Sequence, residues 1–308
     1  MEIMKNSLYI LMILFVGIFE ASAQQESQYT QYMYNTMTIN PGYTGTRSIP
    51  SIFGLYRTQW VGLDGAPKTA NLSIDTPISQ NGQGIGLSIT NDKIGPSEET
   101  NLMLSYSYPI QLSATTKLSL GVSGGLNFIN VDYNKLNTYD QDDPFLTGTL
   151  SKISPNVGAG AYFHSDKWYA GLSVPMLLET KFDNDVRVSV ASQRMHFYAM
   201  GGYVFDINDN LKFKPAAMIK LTNGAPLAVD LSANFLINDK LTLGAAYRWD
   251  AAVSAMAGFQ VTQGMNVGYA YDYDTQEIGN YNSGSHEIFL RFDLFSNTKY
   301  RLVTPRFF

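Results

Sequence analysis

The 308-residue chain is 13% aromatic, with 20 Tyr and 26 Gly, yet only 15% of it is charged and its net charge is −5 at pH 7. An average soluble domain is about 25% charged, so this composition argues against an ordinary soluble globule, and nothing in it resembles a nucleic-acid surface. There is no cysteine, which excludes disulfides and acylation of a lipobox Cys.

In chain order, Met1 to Ala23 has one Lys, Lys5, then an apolar stretch from Leu8 to Phe19 and the small-x-small pattern Ala21-Ser22-Ala23. This is the layout of a secretory signal, and the apolar run is short for a membrane anchor. The expected division is a cleaved signal peptide at 1–23, an N-terminal plug or periplasmic segment at 24–48, a barrel at 49–296 and a C-terminal tail at 297–308. No other apolar segment approaches the length of a membrane helix. A weakly charged, Tyr- and Gly-rich exported chain then points to an outer-membrane β-barrel.

The strands carry that reading. In "LKFKPAAMIKL", Leu211, Phe213, Ala217, Ile219 and Leu221 share one face, while Lys212, Lys214 and Lys220 share the other. "VDLSANFLI", "LTLGAAYRW" and "MNVGYAYDY" repeat the period of two, with an apolar face opposite Asp230, Ser232, Asn234, Arg248 or Asp272. A soluble sandwich also alternates, but it carries more charge on its outer face. About fourteen such segments follow, near 50–60, 67–75, 83–91, 99–109, 116–131, 153–164, 167–175, 192–206, 210–221, 227–237, 240–249, 252–262, 264–273 and 284–294, an even count that suits a single-chain barrel. Tight turns at 164–167, 206–210, 238–239 and 262–264 are expected in the periplasm, and longer loops at 132–152, 175–191 and 274–283 outside. That puts both termini in the periplasm. The first strand, Ser51 to Trp60, alternates poorly, and Pro215 within a strand predicts a bulge.

Five stretches in order, "SQYTQYMYNTMTINPGYTGT", "YRTQWVGLDGAPKT", "NVGAGAYFHSDKWYAGLSVPMLL", "KFKPAAMIKLTNGAPLAVDLSANFLINDKLTLGAAYR" and "NVGYAYDYDTQEIGNYNSGSHEIFLRFDL", resemble the PorP/SprF family of type IX secretion system outer-membrane proteins of the Bacteroidetes. The usual family N-terminus reads Asn-Pro-Ala-Tyr-Ala-Gly, against Asn40-Pro41-Gly42-Tyr43-Thr44-Gly45 here. The resemblance implies a barrel in or beside the machinery that exports proteins and fixes some of them at the cell surface. Its implied partners are outer-membrane lipid, secreted cargo or a gliding-motility adhesin, and a periplasmic peptidoglycan-binding lipoprotein.

No P-loop or His-Glu-x-x-His occurs, so no catalytic, cofactor or metal residues are expected. His164 falls in a tight turn; His196 and His286 fall in strands, where a lumenal hydrogen bond is favoured over a phospholipase-type Ser/His pair, with His286 near the outer rim. "YDQDDP", Tyr139 to Pro144, is a solvated acidic loop that lacks the Gly and Glu of a calcium loop. Lys212, Lys214, Lys220, Arg194, Arg248 and Arg291 are expected to face the lumen near Asp230, Asp272 and Asp293, closing it with ion pairs rather than lining a selective pore.

Two segments stand out. Tyr56, Arg57, Gln59, Trp60, Leu63, Asp64 and Pro67 form an expected partner-binding loop, whose Gly62, Gly65 and Pro67 suggest a fixed shape; Trp60 is equally suited to the interfacial aromatic girdle. In "YMYNTMTINPGYTGT", Tyr32, Met33, Tyr34, Met37 and Tyr43 cannot remain in water as an open patch. Tyr32, Tyr34, Asn40, Pro41 and Tyr43 are expected to plug the periplasmic mouth, with Asn40-Pro41-Gly42 as the turn leading out to strand one. The competing picture is a tail that orders on a periplasmic partner. As a whole, the chain reads as a docking or anchoring barrel of the secretion system. The alternative is a transport channel similar to the long-chain fatty-acid transporter barrels, which would need a side opening or an apolar lumenal pocket.

Overall fold

A computed structural model describes residues 29–47, 49–79, 81–135, 148–181 and 192–294. The expected signal peptide, the acidic loop at 139–144, most of the loop at 175–191 and the C-terminal tail lie outside the described residues.

The strands run in chain order as β1 (Ser51–Thr58), β2 (Lys68–Pro77), β3 (Gly84–Ile94), β4 (Ser97–Gln111), β5 (Lys117–Asp132), β6 (Thr149–His164) and β7 (Trp168–Val174). A short pair, β8 (Thr180–Lys181) with β9 (Ser192–Gln193), stands apart from the main sheet. The sheet resumes with β10 (His196–Tyr203), β11 (Phe205–Asn208), β12 (Leu211–Thr222), β13 (Ala228–Ile237), β14 (Leu241–Arg248), β15 (Ala252–Thr262), β16 (Met265–Asp274) and β17 (Ser285–Asp293). Each pairs antiparallel with its neighbours, and β1 pairs β17 from Ser51↔Asp293 to Thr58↔His286. With β10 and β11 continuing one another, this is a closed barrel of fourteen strands. Closure leaves the main sheet without a free edge, as a hydrocarbon environment requires.

Period two sets which side chains face inward. In β13, Asp230, Ser232 and Asn234 are buried while Leu231 and Phe235 are exposed on the outside. On β5 the outward residues from Leu118 through Leu120, Val122, Gly124 and Leu126 to Phe128 carry no charge. Ten residue steps cover about 34 Å of strand. A tilt of about 45° reduces that to about 24 Å, close to the apolar band of an outer-membrane barrel.

The wall is uneven. β4, β5 and β6 run for 15, 16 and 16 residues, whereas β1, β7, β10 and β14 have 8, 7, 8 and 8. At one end lie tight turns, among them Asn238-Asp239 with φ of 52° and 53°, a left-handed geometry that Asn and Asp tolerate. In another turn at this end Lys167 reaches Asp206 at 2.9 Å, and this hydrogen bond raises the lysine above its ordinary value. At the other end lie the longer connections 59–67 and 275–284 and the described parts, 133–135 with 148 and 175–181 with 192–195, of two more.

Four sequence expectations are corrected. Pro215 makes no bulge: β12 keeps one register with β13 through Pro215↔Ala233, and Gly202↔Ala216 and Phe205↔Phe213 lie in phase on its other side. Lacking an N–H, Pro215 interrupts the ladder between β10 and β11, where Val204 donates to Lys167 O at 2.7 Å. A register shift occurs instead between Asp206 and Asn208. Arg194 is no strand residue; it precedes β10 and donates from Nη1 to Asn223 O at 2.6 Å. His286 does not face the lumen, because Glu287 takes the inward position, and its Nδ1 lies 2.6 Å from the outward Tyr269 hydroxyl. His196 is buried on an inward face, and His164 ends β6 rather than lying in the turn.

The poor alternation of β1 also has a cause. Its inward residues are Ser51, Phe53, Leu55 and Arg57, all buried. Phe53 and Leu55 belong to an apolar cluster with Tyr32, Tyr34, Met37, Ile39 and Tyr43. The apolar core of this barrel therefore lies inside it, between the N-terminal segment and the wall.

The lumen and its long-loop mouth as the candidate functional site

Residues 30 to 47 cross the lumen as three short 3-10 turns, Tyr32–Tyr34, Thr36–Thr38 and Pro41–Tyr43. At the long-loop end, Thr30 and Gln31 donate their backbone N–H groups to the Glu287 carboxylate at 3.0 and 2.8 Å. The Thr30 hydroxyl donates to Asp272 at 2.6 Å. Arg57 ties the cluster together, 2.7 Å from Asp272 and 3.2 Å from Glu287. All three charged side chains are about 2% exposed or less, and charge-assisted bonds of this kind are stronger than neutral ones.

Midway, Asn35 donates to Asn71 at 2.6 Å and Ser73 at 3.0 Å on β2. Two strands along from β2, on β17, the Phe289 ring lies 4.1 Å from that of Tyr34, and Arg291 donates to Tyr34 O. Nearer the tight turns, Asn40 accepts from Gly42 N at 2.9 Å, which caps the Pro41–Tyr43 turn. Its amide also donates to Ala161 O at 3.0 Å on β6. Ser107 donates to Thr44 O at 2.5 Å, and Gly45 N donates to Asp75 at 2.9 Å. Arg47 pairs with Asp293 at 2.7 Å where the chain leaves the lumen.

Glycines on the inner wall make this seating possible. A Cβ at Gly84 or Gly86 would strike Thr44 or Met37, one at Gly121 would strike Pro41 and Gly42, and one at Gly160 would strike Asn40. Gly42 itself has room for no side chain, since its Cβ would lie 2.7 Å from Ser119 O.

The expected plug residues Tyr32, Tyr34, Asn40, Pro41 and Tyr43 are all buried within the barrel. Their path differs from the expected one. The segment reaches the level of Arg57 near the far end of β1, and Asn40-Pro41-Gly42 is seated on β5 and β6 instead of turning out to β1. Of the expected lumenal charges, Lys214, Lys220, Arg248, Arg291, Asp230 and Asp272 are buried, and Arg248 pairs with Asp230 at 2.8 Å. Lys212 lies at the rim and pairs with Asp239 at 2.8 Å. Glu287, Arg47 and Asp75 escaped notice in the sequence, although counting inward from Phe289, and from Ser73, picks out two of them.

Above the segment, toward the long loops, lies a pocket of about 70 Å³. Tyr29, Tyr32, Met37, Ile39, Met103, Met176 and Met218 give it an apolar floor, and Lys220, Asp230 and Arg248 stand at its side. Among the described residues no group of three or more His, Asp or Glu is placed to hold a metal ion.

The seven residues of the expected partner-binding loop are not brought onto one surface. Arg57 is 1% exposed and belongs to the lumenal cluster, Pro67 is buried, and Tyr56 faces outward. Trp60 is half-buried at φ 46°, its indole N–H donating to Asp274 at 3.3 Å. Gln59, Leu63 and Asp64 remain in the loop, with Asp64 exposed. The loop is held on two sides: Val61 N donates to Gly284 O and Gly95 N to Gly65 O, each at 2.9 Å.

A closed antiparallel barrel with an apolar exterior and a polar, charged interior defines an outer-membrane β-barrel. No helix among the described residues is long and apolar enough to cross a membrane. Residues 21–292 match the family model described as type IX secretion system membrane protein PorP/SprF, and the chain belongs to this family. It is thus an outer-membrane barrel component of that system. Among curated proteins none matches the chain. Solved structures with the same fold include the Ralstonia pickettii toluene transporter TbuX, at 8% identity and TM-score 0.52 over 83% of this chain and 93% of that one. Another is the CymD monoaromatic hydrocarbon channel, at 10% identity and TM-score 0.52 over 86% and 93%.

Proposed function

We propose that the protein is a plugged docking barrel of the type IX secretion system, holding secreted surface proteins, gliding adhesins among them, at its outer vestibule and long loops. The carrying observation is the N-terminal segment, bonded to the wall from Thr30 to Arg47. A wall sealed in this way suits a barrel that acts through its ends. In this reading the signal peptide is cleaved after Ala23, the tight turns and both termini lie in the periplasm, and the tight-turn end meets a peptidoglycan-binding lipoprotein.

The alternative of a hydrocarbon channel, which the neighbours' names raise, fits the pocket less well. An engineered cavity of about 150 Å³ binds benzene, and 70 Å³ is half of that. A space of this size suits one apolar side chain of a partner, and the four methionines lining it adapt readily in shape.

Affinity capture of the tagged protein from its own outer membrane tests the proposal. Recovery of a secreted surface protein and a periplasmic lipoprotein is expected, and capture of neither would remove it. Orientation is tested separately. On intact cells an impermeant thiol reagent should label Asp64→Cys and spare Asn208→Cys; the reverse pattern would invert the barrel.

A further inference from the structure

The outer surface of the barrel carries a row of polar residues at the long-loop end, given directly by strand register: His286 opposite Thr58, Thr58 opposite Lys68, Lys68 opposite Lys93, and Lys93 opposite Glu98. Period two makes all of them outward, since Arg57, Thr69 and Asp92 point in. Below it comes a row of Ala70, Asn91 and Thr100, and beneath that the outward face is apolar and exposed, with Leu72 and Ile74 on β2 and Ile85, Leu87 and Ile89 on β3. The row therefore stands where lipid acyl chains give way to headgroups.

Two lysines directly opposite one another on adjacent strands repel. Both are exposed, and among the described residues neither makes an ion pair or a hydrogen bond. Glu98, opposite Lys93, accepts from Asn91 at 3.0 Å. Farther round the barrel at this end the outward positions include the aromatics Tyr247, Trp249, Tyr269, Tyr273 and Tyr56. That interfacial girdle stops at β2 and β3, where the lysines take its place.

We infer that Lys68 and Lys93 clamp the phosphate of an outer-leaflet glycolipid headgroup, with the Thr58 hydroxyl beside them and the lipid's chains lying against β2 and β3. A phosphate between the two ammonium groups removes their repulsion, and the apolar face beneath selects a lipid over a free anion. The inference is independent of cargo docking and depends on the long-loop end lying outside, which the thiol labelling reports by itself.

Lipid A is the probe. The full-length protein, delipidated in detergent and then incubated with lipid A, is examined by native mass spectrometry beside the double variant Lys68→Gln/Lys93→Gln. Lys240→Gln, in a tight turn at the opposite end, serves as control, and heat-modifiable gel migration confirms that each barrel is folded. Loss of both lysines should lower lipid A retention about 30-fold, with Lys240→Gln unchanged. Equal retention by the double variant overturns the inference, as does equal retention of lipid A stripped of its phosphates. Displacement of the lipid by inorganic phosphate would assign the pair to a free anion and overturn it too.

Discussion

Strands β2 to β7 offer the lumen mostly small neutral residues, such as Asn71, Ser73, Ser105, Gly121 and Gly160, with Asp75 as a carboxylate among them, while β12 to β17 with β1 offer Lys214, Asp230, Arg248, Asp272, Glu287, Arg291 and Arg57. Both halves hold the same segment. The neutral half does so by close backbone approach, wherever an absent Cβ leaves room for Pro41 and Gly42. The charged half does so by directed bonds, its Glu287 carboxylate accepting from Thr30 and Gln31 and its Arg291 guanidinium donating to Tyr34. Shape on one side and charge on the other make the two contacts fail in different ways.

The largest expected effect comes from removing what both halves grip. Deleting Gln25 to Tyr43 behind an intact signal sequence should turn a silent barrel into one with steady conductance in planar bilayers; a barrel that stays closed would show that the segment is no plug. Breaking the charged half alone comes next. Arg57→Ala leaves Asp272 and Glu287 facing each other without their cation, a change that costs about 3–5 kcal/mol in a buried site. It should lower the denaturant midpoint and expose the segment to protease, and an unchanged midpoint would mean that the cluster is solvated.

The neutral half should respond less. Gly121→Val places carbon against the backbone of Pro41 and Gly42, and overpacking of this kind costs about 1–3 kcal/mol. Gly124→Ala, with nothing within 4 Å of its Cβ position, should be silent in the same melting assay. Equal effects at Gly121 and Gly124 would show that close backbone approach does not hold the segment. The smallest effect on the barrel is expected at Leu63 and Asp64, whose substitution by Ala should leave its abundance unchanged while reducing cargo attachment. Normal cargo display would take that loop out of consideration.

The strands were legible because their period was regular. Ile219 and Lys220, or Leu231 and Ser232, announce their faces without help from any distant residue. β1 was not, since Phe53 and Leu55 point inward and blur the contrast on which the period depends. For that reason Arg57, inside the expected first strand, was read as part of a partner-binding loop and not as a lumenal charge. The plug residues could be singled out by their aromatic content, but their path could not. Thr30 meets a carboxylate 257 positions away, and no local pattern encodes which of the inward charges it will find. Pro215 showed a missing donor correctly, but the consequence fell on the neighbouring strand as a gap rather than on its own as a bulge.

Residues 30 to 47 meet β1, β2, β3, β5, β6, β16 and β17 from inside, and β17 alone supplies Glu287, Phe289 and Arg291. This makes the segment a gauge of circumference. A barrel closed with two strands too few or too many would move the charged half relative to the neutral one, and the segment could then satisfy one of them but not both. The seating of the N-terminal residues thus coincides with correct closure of the last strand on the first, so that an incompletely zipped barrel would be recognisable by a loose N-terminus long before any partner tested it.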